Sequence, residues 1–150
     1  MILNSDYRDI LHILSERKAK FILVGAYAIA AHGYPRSTLD IDLWVMPDHE
    51  NAVLVLHALE DFGAPTGDLS LDDLQKEGII FQIGVAPRRI DIITSVDGLK
   101  FEDAYSHSEI VDIDGIPVRI MSIPDLIINK RSTGRLKDLA DAETLENSGC

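Results

Sequence analysis

The sequence predicts an α/β (α+β) fold, a mixed β-sheet with helices packed against it. Three observations carry that expectation. Phe21-Ile22-Leu23-Val24 and Ile79-Ile80-Phe81-Gln82-Ile83 are apolar runs of strand rather than helix length. Ala52, Val55, Leu56, Leu59 and Phe62 recur at helical spacing. Asp114-Gly115 lies between two apolar segments as a hairpin turn, which brings an antiparallel pair into a chain that otherwise alternates strand and helix.

From the N-terminus, Leu3, Tyr7, Ile10, Leu11 and Leu14 form the apolar stripe of a first helix around the cap Ser5. Phe21–Val24 reads as a buried strand ending at Gly25, followed by a small-residue helix from Ala26 to His32 that Gly33 and Pro35 stop. Ser37 to Val45 then alternates as a strand, with Thr38, Asp40, Asp42 and Trp44 on one face and Leu39, Ile41, Leu43 and Val45 on the other. Asp48 caps the next helix, which Gly63 and Pro65 close. Ser70-Leu71-Asp72-Asp73 has the pattern of a capping box opening a short helix, and Ile79–Ile83 follows as a second buried strand. In Arg89-Ile90-Asp91-Ile92-Ile93 the alternation puts Arg89 and Asp91 on one face. Glu109–Ile113 and Ile116–Met121 are the arms of the hairpin. Ser122 caps two final helices, Ile123–Ser132 and Leu136–Asn147, separated near Gly134.

The chain has 150 residues, enough for one domain over 1–150 with its own core. Its 46% hydrophobic and 26% charged residues are those of an ordinary globular protein, and no apolar run approaches the roughly 20 residues of a membrane span. Met1 to Asp6 lacks the basic and apolar regions of a secretion signal, so a cytoplasmic protein with no membrane partner is expected. The lone cysteine, Cys150, has no partner for an internal disulfide and suits neither redox nor nucleophilic work at a chain end. A formal charge of −11 opposes non-specific binding to nucleic acid. Positive charge is nevertheless concentrated locally, at Arg88 and Arg89 and again at Lys130, Arg131, Arg135 and Lys137, as a solvated basic face or a phosphate-facing one.

Asp40 and Asp42 are the main chemical signal. Carboxylates ~7 Å apart on one strand face, each flanked by large apolar residues, repel each other and resist desolvation unless a cation lies between them. Hard oxygen ligands without a His or Cys cluster favour Mg²⁺ (or Mn²⁺) over Zn²⁺, and His12, His32, His49, His57 and His107 are too scattered to form a zinc site. Asp91 adds a third acid on another strand, with an ion pair to Arg88 or Arg89 as its structural alternative. Trp44 either fills the sheet surface beyond the acids or stacks on a base. Asp138 and Asp141, one helical turn apart, are expected to pair with Arg36 or Lys137. Thr94, Ser95 and Ser106 have no paired base, which removes a serine-hydrolase reading.

Gly25-Ala26 opening a helix after a buried strand, then Arg36-Ser37-Thr38-Leu39-Asp40-Ile41-Asp42-Leu43, then a strand-borne Asp91, resembles a minimal member of the DNA polymerase β-like nucleotidyltransferase superfamily. The resemblance spans nearly the whole chain and is nearest to small bacterial proteins related to the toxin subunit of abortive-infection systems. Lys130-Arg131-Ser132-Thr133-Gly134-Arg135-Leu136-Lys137-Asp138-Leu139-Ala140-Asp141 is similar to the C-terminal pattern of such proteins. The resemblance implies that Asp40, Asp42 and Asp91 are the catalytic and metal-binding acids. It also implies that Gly25, Ala26, Arg36, Thr38, Lys130 and Lys137 bind nucleotide.

The implied reaction uses Mg²⁺ (or Mn²⁺) and an NTP donor, and moves a nucleoside monophosphate to a hydroxyl on a small molecule, a protein or a tRNA end, with release of pyrophosphate. Three carboxylates suit a two-metal clamp, and unpaired N–H groups after Gly25 suit phosphate oxygens. Ala26 departs from the pattern, in which a second Gly or a Ser is usual; it keeps the backbone N–H and supplies no hydroxyl. The larger relatives' extra domain is missing, which leaves the acceptor pocket to this chain, a homodimer or an antitoxin-like partner. A non-catalytic nucleotide- or partner-binding module is the alternative, and an aspartate phosphatase with Asp40 as nucleophile is a third class.

Overall fold

The computed structural model describes residues 4–34, 40–85 and 88–148. In chain order these form α1 (Ser5–Glu16), β1 (Phe21–Val24), α2 (Gly25–Ala31), β2 (Ile41–Val45), α3 (His49–Phe62), α4 (Leu71–Leu74), β3 (Ile80–Ile83) and β4 (Ile90–Ile93). There follow α5 (Phe101–His107), β5 (Glu109–Ile113), β6 (Ile116–Ile120), α6 (Ile123–Thr133) and α7 (Leu136–Ser148). The strands make one mixed sheet in the order β3-β4-β2-β1-β6-β5. β1 pairs antiparallel with β2 and parallel with β6, β2 pairs parallel with β4, and the two outer strands join by antiparallel pairing. The mixed α+β architecture read from the sequence is the one observed. No helix among the described residues is long and apolar enough to cross a membrane.

The central strands are apolar because both sheet faces are covered. All of β1 is buried, and in β2 every residue except Asp42 is buried. α1 lays Tyr7, Ile10, Leu11 and Leu14 into the core and packs against α3 and β6. Its cap is Asn4 rather than Ser5: the Asn4 Oδ1 accepts the Tyr7 N–H at 2.9 Å, and Ser5 is already the first helical residue. Asp48 caps α3 as expected, accepting the Asn51 N–H at 2.8 Å, and Ser70 and Asp73 form the capping box of α4. In the β5–β6 hairpin Asp114 and Gly115 have φ of 54° and 84°, the left-handed pair that matches a two-residue turn to the strand twist.

Two of the expected elements need correction, and part of a third lies outside the described residues. Ile79–Ile83 is not a buried strand: β3 is an edge strand in which Ile80 is 63% exposed and only Ile83 is buried. The small-residue helix starts at Gly25 and ends at Ala31, with His32 as its cap. The strand carrying the acids is described only from Ile41, since 35–39, with Pro35, Arg36, Ser37 and Thr38, lies outside the described residues, as does Cys150. Helix α5 has no counterpart in the sequence reading, because no side chain caps it and it spans only 7 residues. It matters for packing: Phe101 meets Trp44 edge-on at 5.2 Å, and Trp44 is 1% exposed. Trp44 therefore fills the sheet surface and does not stack on a ligand.

Buried Asn51 ties the start of β1 to the end of β2. Its Oδ1 accepts the Lys20 N–H at 2.7 Å, and its Nδ2 donates to the carbonyls of Lys20 at 2.9 Å and Met46 at 3.0 Å. Asn51→Leu would strand those backbone groups in an apolar setting and is expected to destabilise the protein by about 2–4 kcal/mol. Urea unfolding measures this; a loss below about 0.5 kcal/mol would mean the latch is replaced by water.

Candidate active site

The site forms where β1 gives way to α2 beside the parallel pair β2–β4. Gly25 turns the chain at φ +70°, and a Cβ there would lie 2.5 Å from the Asp42 Oδ2, so both backbone conformation and space require glycine. Asp42 stands opposite Val24 on one side and opposite Asp91 on the other. Partners at one level of a parallel pair project to the same face, so register alone brings together two acids 49 residues apart in sequence. Asp40 joins them from just ahead of β2. Its Oδ1 accepts the Arg89 N–H at 3.1 Å, and the Ile41 N–H donates to the Arg89 carbonyl at 2.9 Å.

Arg89, named from the sequence only as a candidate ion-pair partner of Asp91, makes that pair and belongs to the site. Its Nε lies 2.7 Å from the Asp91 Oδ1 and its Nη2 3.1 Å from Oδ2, a two-pronged grip, with the same Nη2 3.4 Å from the Asp40 Oδ2. The alternation of β4 signalled a shared face for Arg89 and Asp91; it could not signal that Asp40 would close the triangle. The carboxylates still outnumber the cation. Burial, followed by the charge of Asp91, their hydrogen bond and the charge of Asp40, pushes the Asp42 carboxyl up to about 7 despite the opposing effect of Arg89.

A second polar cluster comes from α6 and α7. The Lys130 Nζ reaches Asp138 at 3.1 Å and Asp141 at 3.3 Å, while the Arg135 Nε and the Thr133 Oγ1 donate to the Asp138 Oδ2 at 2.8 Å and 2.7 Å. Asp138 is buried; burial alone would raise its pKa, but the hydrogen bonds from Thr133, Lys130 and Arg135 hold it below the usual carboxylate range. Among the described residues its partners are Lys130 and Arg135 rather than Lys137, and Arg36 lies outside the described residues. The left-handed Gly134, φ 70°, turns the chain so that Arg135 folds back onto α7.

Gly25, Ala26, Asp40, Asp42, Asp91, Lys130 and Lys137 line one cavity of about 410 Å³, together with Arg89, Arg135 and Asp138. Arg36 and Thr38 lie outside the described residues. A second cavity, of about 500 Å³, shares the acid wall and extends along β3 past Ile80 and Gln82 to Ser95, Asp97 and Asn129. Among the described residues, no group of three or more His, Cys, Asp or Glu side chains is arranged to hold a metal ion. The oxygen donors nonetheless fit a hard divalent cation in chemistry, and the raised Asp42 marks a local excess of negative charge that such an ion would relieve. What occupies the oxygens of Asp91 is the Arg89 guanidinium.

Comparison with known proteins gives the class. The chain belongs to the family described as "nucleotidyl transferase of unknown function" (DUF2204), whose profile matches residues 3–147. The crystal structure of a candidate nucleotidyltransferase from Thermotoga maritima, TM1012, superposes with a TM-score of 0.62 at 17% identity, covering 98% of this chain and 94% of that one. The solution structure of the antibiotic-resistance factor ANT(2'')-Ia superposes with a TM-score of 0.59 at 18% identity, covering 97% and 82%. At those identities the two structures speak for the fold. No curated protein sequence gives a significant match.

The displaced Asp42 titration has a stability consequence. The folded chain keeps a proton on Asp42 up to about pH 7, whereas the unfolded chain releases it near the ordinary aspartate value of 3.8. Between those values the folded state binds more protons, so the metal-free protein loses stability as pH rises through that window. Asp42→Asn removes this loss. Chemical denaturation in EDTA at pH 5 and pH 8 is expected to show wild type losing about 2 kcal/mol more stability than Asp42→Asn between the two pH values; parallel profiles would refute the assignment.

Proposed function

We propose that the protein transfers a nucleoside monophosphate from an NTP to a hydroxyl-bearing acceptor and releases pyrophosphate, using a divalent cation, Mg²⁺ or Mn²⁺. One observation carries the reading: Asp42 and Asp91 stand opposite each other in register, beside Asp40, on the wall of the cavity that Gly25 and Ala26 also line. In this reading Asp40, Asp42 and Asp91 hold the metal. When bound, the ion neutralises charge on the phosphoryl oxygens and lowers the pKa of the attacking hydroxyl.

The chain's own groups have the remaining roles. Gly25 lets phosphate approach the backbone, Ala26 offers its N–H, and Lys137, on the cavity rim, meets phosphate charge. Lys130 acts there while braced by Asp138 and Asp141. Arg36 and Thr38 belong to the same nucleotide set. The acceptor oxygen attacks the α-phosphorus, the bond to the bridging oxygen of the β-phosphate breaks, pyrophosphate leaves, and Asp91 takes the hydroxyl proton. The cavity of about 500 Å³ along β3 is the proposed acceptor side, and its volume suits a small molecule or a single extended residue or nucleotide of a protein or tRNA. A cytoplasmic setting, and a homodimer or an antitoxin-like partner, complete the proposal.

A second reading, a nucleotide- or partner-binding module without turnover, is favoured by Ala26, which supplies no hydroxyl where the nucleotide would lie. Incubating the protein with α-labelled NTPs, Mg²⁺ or Mn²⁺ and lysate separates the two. Label transfer that Asp42→Ala reduces by about 100-fold or more is expected. Calorimetric NTP binding without label transfer or pyrophosphate would leave the module.

A further inference from the structure

The acid triangle is closed by a cation that belongs to the chain. We propose that the Arg89 guanidinium is an exchangeable counter-ion: it holds Asp91 and Asp40 when nucleotide is absent, a divalent ion must displace it, and the triphosphate is the anion that then receives it. This rests on the nucleotidyl-transfer reading and adds an order to binding, in which metal alone binds weakly and metal with triphosphate binds cooperatively.

The geometry distinguishes Arg89 from an ordinary structural ion pair. Its backbone is fixed: the N–H donates to Asp40 at 3.1 Å, and the carbonyl accepts from the Ile41 N–H at 2.9 Å and the Tyr7 hydroxyl at 3.3 Å. The side chain, by contrast, is 29% exposed and lines both cavities, so it can swing on a rigid base without disturbing the sheet. Both Asp91 oxygens are engaged by its two-pronged contact. A divalent ion on the same oxygens would sit at ion-pair distance from a guanidinium that never deprotonates, so the two cations repel and compete for those oxygens.

Of the other described cations that line this space, Lys137 among them, two are anchored by a separate set of acids. Lys130 and Arg135 are held by Asp138, with Asp141 also on Lys130, and those acids are not the ones proposed for metal. Among the described residues, Arg89 is the cation paired with Asp40 and Asp91, so its release frees those acids for metal and adds its charge to that of Lys130 and Lys137 for the incoming phosphates. Because the triphosphate supplies a new partner for the guanidinium, each ligand favours the other's binding by the same factor.

The test titrates Mn²⁺ into the full-length protein without nucleotide, following free ion by electron paramagnetic resonance, for wild type, Arg89→Gln and Arg89→Lys. A second measurement follows calorimetric binding of an ATP analogue with a methylene bridge between the α- and β-phosphates at saturating Mn²⁺. Arg89→Gln is expected to bind Mn²⁺ about tenfold tighter than wild type and the analogue about tenfold more weakly. A purely structural Arg89 would give the opposite sign for metal, since losing it would loosen the site. Arg89→Lys keeps the charge but cannot grip with two parallel donors; it should shift both affinities the same way by smaller factors, and it carries the comparison if Arg89→Gln does not fold. Mn²⁺ affinity equal to or below wild type in both substituted proteins overturns the exchange, and tighter metal with unchanged analogue binding overturns the transfer to phosphate. Either result leaves the metal-dependent reading intact. Absence of Mn²⁺ and analogue binding from all three proteins overturns that reading as well.

Discussion

The parallel register of β2 against β4 is the constraint on which the site depends. It sets Asp42 opposite Asp91, and the antiparallel register of β1 sets Val24 and the Gly25 turn against the other side of Asp42. Buried apolar residues of β1, β2 and β4 hold that register, because a one-residue slip would send Ile41, Leu43 and Ile92 to the face that carries the acids and separate Asp42 from Asp91. The apolar core thus does more than stabilise the chain. It forces like charges together in a partly buried place, at a free-energy cost that Arg89 offsets only in part.

Such a cost invites a functional explanation, since a packed apolar residue at Asp42 would be cheaper for folding alone. A cation-hungry pocket beside a glycine turn and a lysine-lined rim is what metal-dependent phosphate chemistry requires, and membership of a nucleotidyl transferase family agrees with it. The α6–α7 cluster presents a contrast. There Asp138 is fully supplied with donors, its pKa is held down, and its charge is matched by Lys130 and Arg135, so that corner is electrostatically settled while the corner at Asp42 is not.

Much of the fold was legible because its signals are local. The apolar run at Phe21–Val24, the capping box at Ser70 and the Asp114-Gly115 turn all form as read. Where the sequence misled, the deciding information was non-local. Ile79–Ile83 looks like a central strand, yet its place at the sheet edge exposes Ile80. Helix α5 is short and has no side-chain cap, and its Phe101 packs on Trp44, a contact distant in sequence. In the site, alternation along one segment put Asp40 and Asp42 on one face, and the family resemblance added Asp91. The reach of Arg89 to Asp40 depends on strand register and the approach to β2, which no spacing within one segment records.

In the proposed reaction these three acids share a divalent ion in the presence of nucleotide. Diffraction from crystals grown with Mn²⁺ and a triphosphate analogue that cannot be cleaved at the α-phosphate tests it most directly, through the anomalous signal of manganese. The account expects manganese between Asp42 and Asp91 with Asp40 in reach, and the analogue's phosphates beside Gly25 and Ala26. Manganese bound elsewhere, with Arg89 still gripping Asp91 while the analogue is present, would contradict it.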